Sequence, residues 1–109
     1  MHQGTPLFPG LLAAGEVAGA SGGEFLAAAV AGYEVGARLG LIHGDRVHLR
    51  GFHPTATTGI FAVTAAAGRL LGLDQAVIED GLGLALSMTA GCQQFTERGG
   101  DNKPVQVGM

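Results

Sequence analysis

The sequence predicts an all-α protein, an antiparallel helical bundle, on three observations. Apolar residues recur at three- and four-residue steps along several runs. Glycine and proline punctuate the chain between those runs, and no segment shows the strict alternation of a half-buried strand. Short connections between successive helices favour an up-and-down bundle.

Taken in order, residues 4–10 (Gly-Thr-Pro-Leu-Phe-Pro-Gly) are dense in breakers of regular structure, and residues 11–18 are rich in helix formers, which predicts a short first helix there. Ser21-Gly22-Gly23-Glu24 matches a capping box, so a second helix should start at this point. From Phe25 through Ala29, Val30, Tyr33, Ala37 and Leu41 the apolar positions keep a helical period, and Glu34 and Arg38 stand four apart as an ion pair. Residues 42–52 lose the period and read as an irregular connection, a kind of segment that often carries function. His53-Pro54-Thr55 opens a third run over 56–71, with proline suited to the first helical position and Gly72 suited to ending the helix. Asp74 is placed to cap a fourth helix that fades near Gly91. Gly81 and Gly83 inside it predict close helix contact. The tail 96–104 is polar and glycine-rich, and a new apolar run starts at 105–109 just as the chain stops, so a fragment of a larger domain is expected.

Composition narrows the function classes. With 20 glycines and 6% aromatic residues in 109, the core must be built from small side chains, which requires close approach of the helices. A net charge of −3 with six scattered Lys and Arg lacks the footprint of a nucleic-acid surface. Cys92 stands alone, which excludes an intrachain disulfide and an iron–sulfur cluster; it is expected to be a small buried residue. No basic leader opens the chain, and its most apolar stretch, 25–41, is interrupted by Glu34 and Arg38. A soluble cytoplasmic protein with no membrane partner is expected.

Among residues able to do chemistry, His53 is the most informative. Its place before Pro54 puts an imidazole at a helix N-terminus, where free amides and the positive dipole end favour a carboxylate and should lower the imidazole pKa. A neutral imidazole can act as a base, or His53 can simply cap the helix; spacing leaves both open. Thr55, Thr57 and Thr58 can donate to an anion or cap in the same way. Lys103 sits in a glycine-rich approach closed by Pro104, which suits either an anion clamp or a solvated surface lysine. His2 gives a weak local signal. His43, His48 and His53 are spaced by five, on no common helical face and without a thiolate or HExxH partner, so no metal site is expected. Neither Ser21 nor Ser87 lies in a nucleophile elbow.

Three segments together resemble the MmgE/PrpD family, which includes 2-methylcitrate dehydratase, cis-aconitate decarboxylase and iminodisuccinate epimerase. They are Gly32-Tyr33-Glu34-Val35 with Arg38, the turn Arg50-Gly51-Phe52-His53-Pro54-Thr55, and Leu71-Gly72-Leu73-Asp74, joined by Lys103-Pro104 and Val107-Gly108. The resemblance spans nearly the whole chain. It implies that residues 1–109 are part of the family's helical domain, with an upstream part and a C-terminal lid domain absent. It also implies a cofactor-free, metal-independent lyase that acts on a small polycarboxylate, with dehydration ahead of decarboxylation or epimerisation, in a homodimeric parent. By the same resemblance His2, His53 and Lys103 are catalytic, and Thr55 and Lys103 bind substrate. Gln3 departs from the proline usual after the first histidine. Without the lid the chain alone should have little or no activity, and the competing reading is an inactive helical fragment with a structural or oligomerisation role.

Overall fold

The computed structural model describes residues 1–95, which form five helices: α1 (Gly4–Ala18), α2 (Gly22–His43), α3 (Arg46–Leu49), α4 (Pro54–Leu70) and α5 (Gln75–Met88). The all-α expectation holds. Lys103 and the tail from residue 96 lie outside the described residues.

The local signals that depend on near neighbours are realised. Ser21 Oγ accepts from the Glu24 amide at 3.3 Å while Glu24 Oε2 accepts from the Ser21 amide at 2.8 Å, which closes the capping box. The Arg38 Nε to Glu34 Oε1 bond, 2.6 Å, bridges one turn of α2. Pro54 occupies the first turn of α4, and the chain leaves that helix through Gly72 at φ +68°, a left-handed value that suits glycine.

Several details differ from the sequence-based expectation. Helix α1 starts at Gly4 rather than near residue 11 and runs through Pro9, because Leu7 and Leu11 are fully buried and their burial outweighs the bond that proline removes. The connection 42–52 holds one short helix, α3. Asp74 stands at the N-cap of α5 but its side chain accepts no capping bond. Cys92 is exposed, not buried; it follows α5 in the segment that bridges to Phe52, itself exposed.

Small residues let the helices meet closely. The core joins Leu7 and Leu11 of α1, Ala28 and Ala29 of α2, and Ala62 and Ala66 of α4, with Phe25, Val63 and Leu70 against it. A methyl group on Gly32 would lie 2.6 Å from Leu7 Cδ1 and 3.0 Å from the Ala62 carbonyl oxygen, so only glycine fits where three helices converge. One turn on, Gly36 receives the side chain of Gln3. Helix α2 is long and apolar enough to cross a membrane, yet this glycine face is covered by α1 and α4. Helix α5 packs on α4 through Ile78 against Gly68 and Gly81 against Thr64, while Gly83 meets nothing; only one of the two expected glycine contacts forms.

Candidate active site

The site grows from the N-terminus of α4. His53 is extended, with φ −85° and ψ 109°, the conformation that a following proline favours, and its carbonyl accepts the first helical bond from the Thr57 amide at 3.0 Å. Its side chain does not cap the helix. The residue is held from the other side by the segment after α5. The His53 amide donates to the Gly91 carbonyl at 2.9 Å, the Gln93 amide donates to the Gly51 carbonyl at 2.8 Å, and Phe52 pairs with Cys92 in an isolated antiparallel bridge. This pairing brings Phe95 edge-on to the His53 ring, with centroids 5.0 Å apart. His53 is thereby 5% exposed.

The other arm is the start of the chain. The His2 amide donates to Thr55 Oγ1 at 2.9 Å, which brings the first residues against the first turn of α4. A cavity of about 360 Å3 opens between these elements, lined by Met1, His2, Asp45, His48, His53, Pro54, Thr55, Gln93 and Phe95. Its volume is in the range of small-molecule sites.

Of the sequence-predicted residues, His2, His53 and Thr55 meet at this one cavity although 51 positions separate the two histidines. Lys103 lies outside the described residues. His48 lines the cavity with Asp45 across the α3 connection, whereas His43 turns its Nδ1 to the Gly44 carbonyl at 2.8 Å. Among the described residues no group of three His, Cys, Asp or Glu is placed to hold a metal ion. Gln93 and Phe95 carried no local signal in the sequence, since a single bridge between distant segments brings them here. Asp45 and His48 could be found only as members of a connection without helical period.

Chemically, the cavity combines three imidazoles, one carboxylate, a buried threonine hydroxyl and the positive end of a 17-residue helix whose Thr55 and Ala56 amides precede the first intrahelical donor. Such a set can hold an anion and move a proton beside it.

A family model described as the MmgE/PrpD N-terminal domain matches residues 1–109. A cis-aconitate decarboxylase of Aspergillus terreus is 35% identical over 115 residues, covering 100% of this chain and 23% of the relative. A cis-aconitate decarboxylase-like protein of Aspergillus oryzae is 35% identical over 99 residues, covering 84% of this chain and 20% of its own length. The chain thus spans about a quarter or less of the curated relatives it matches. No solved structure matches it significantly.

Proposed function

The chain belongs to the MmgE/PrpD family, and from that premise we propose that it carries the histidine side of a lyase site for small polycarboxylates. The observation that carries the reading is the convergence of His2, His53 and Thr55 on one cavity at the N-terminus of α4. A substrate carboxylate lies against the Thr55 and Ala56 amides and the Thr55 hydroxyl, and Lys103 binds a second carboxylate. One histidine, His53 in our assignment, exchanges a proton with the carbon beside a carboxylate, and His2 is its partner in binding or protonation. The assigned groups need neither a metal nor an organic cofactor.

Two reactions fit this arrangement. In decarboxylation, the activity named for the 35% identical relative, the bond to one carboxylate breaks with release of carbon dioxide, and an imidazolium returns a proton to the carbon that keeps the electron pair. In dehydration, the expectation from the sequence, an imidazole removes the proton beside the carboxylate and the hydroxyl, protonated by an imidazolium, leaves as water while the carbon–carbon double bond forms. The identity with the decarboxylase favours the first.

An NMR titration of the chain with cis-aconitate, 2-methylcitrate and citrate against a chloride control tests the site. Saturable shifts confined to His2, His53 and Lys103 are expected, strongest with cis-aconitate. A folded sample whose histidines respond no more than to chloride would sink the reading. It would leave the second one, a helical module that associates through the exposed Leu26, Val30, Leu41 and Ile42 of α2. That module should elute from a sizing column as an oligomer.

A further inference from the structure

Gln3 stands at the N-cap of α1 but does not cap it; its side chain turns the other way and is buried. Its Nε2 donates to Thr58 Oγ1 at 3.0 Å and to Met1 Sδ at 3.3 Å. Thr58 Oγ1 has two acceptors within reach of its one proton, the Pro54 carbonyl at 2.6 Å and Met1 Sδ at 3.1 Å, and with the proton given to either the threonine receives Gln3 as an acceptor. The amide is therefore oriented with its donor end inward. Its Oε1 is left buried without a partner among the described residues. One residue earlier, the His2 amide is held by Thr55 Oγ1. Thr55 and Thr58 are three apart on α4 and share a face, so they grip two consecutive residues of the chain start.

We propose that Gln3 is a positioning residue that fixes the His2 imidazole at the cavity by tethering the segment before α1 to Thr58. The orphaned Oε1 offsets what the Nε2 bond contributes, so the side chain adds little to global stability. What it adds is registry: without the tether, the segment around His2 is held to α4 by the His2 amide bond to Thr55 Oγ1 and by the weaker contact of Thr58 Oγ1 with Met1 Sδ at 3.1 Å. The functional half of the inference rests on the lyase reading; the tether itself does not.

The test uses Gln3→Met, which keeps the length of side chain over Gly36 and removes the donor, with Thr58→Val as an independent way to remove the acceptor and Thr58→Ser as the conservative control. In the ligand-free chain, carbon relaxation of the His2 ring should show order similar to that of His53, lost in Gln3→Met and Thr58→Val but kept in Thr58→Ser. The thermal midpoint of Gln3→Met should be unchanged or higher. In a cis-aconitate titration, the concentration for half-maximal shift at His2 should rise about tenfold in the two disrupting variants, as loss of one buried hydrogen bond predicts. A His2 ring as mobile in the parent chain as in Gln3→Met overturns the tether. An ordered His2 that gives no saturable response to cis-aconitate leaves the tether standing and removes the lyase reading instead.

Discussion

Helices α2 and α5 face the same partner, α4, yet they are attached in different ways. On α2, Ala28, Ala29, Gly32 and Gly36 are all buried, and a methyl group on Gly32 would meet Leu7, the Ala62 carbonyl and Ala66 within 3.0 Å. On α5 only Ala85 is buried, while Val77, Leu84, Leu86 and Met88 are exposed. The lesson is that apolar composition does not decide which helix is anchored; the number of small residues buried at the crossing does, four on α2 against one on α5, because dispersion contacts are collected only where backbones approach.

Substitutions can break this contrast, and the largest effect should come from the shared core. Leu11→Ala is expected to cost about 2–5 kcal/mol, as for other buried leucines, whereas Leu84→Ala, at a site 67% exposed, should stay within about 0.5 kcal/mol; denaturant unfolding of both variants measures the difference. Next comes the crossing itself. Gly32→Ala forces the new methyl against Leu7 and the Ala62 carbonyl and should cost about 1–3 kcal/mol, whereas Gly83→Ala, with nothing within 4 Å, should stabilise by up to about 1 kcal/mol. Equal thermal midpoints for the two alanine variants would erase the distinction between the helices. Smaller again is Thr89→Val at the end of α5, which removes the 2.7 Å bond from Thr89 Oγ1 to the Thr57 carbonyl. About 1 kcal/mol should be lost, seen as faster hydrogen exchange in α5 with α1 and α2 unchanged.

The smallest effect is a pH dependence at the start of α2. The Ser21 hydroxyl, and then the Ser21 amide, hold the Glu24 carboxyl below its usual range. A depressed carboxylate pKa contributes stability that is present above the unfolded value, about 4.3, and is lost as pH falls through the folded one. The Ser21 and Glu24 amide signals should therefore move on acidification in that window while α5 stays unaffected. Glu24→Gln should abolish the movement.

What could be read from the sequence follows the same line between local and distant causes. The capping box, the Glu34–Arg38 pair and the Pro54 and Gly72 boundaries each involve residues within about one turn, and each was legible. The start of α1 was not, because the helix survives Pro9 only through burial of Leu7 and Leu11 against other helices. At the site, His53 could be picked out from the proline after it. His2 entered only through the family resemblance, since what ties it in is a threonine 53 residues away. The exposed Cys92 and the cavity position of Phe95 both depend on one antiparallel bridge, for which no alternating pattern existed to be read.

That bridge also sets an order of events on the growing chain. Helices α1, α2 and α4 can pack as soon as residue 70 or so has emerged, but the backbone of His53 waits for Gly91, which arrives only after α5 has been synthesised. Closing so long a loop adds only a modest entropic penalty, growing with the logarithm of its length. The scaffold thus precedes its own active corner, and a polypeptide cut off before residue 91 would display a complete α4 preceded by a histidine whose amide lacks its Gly91 partner.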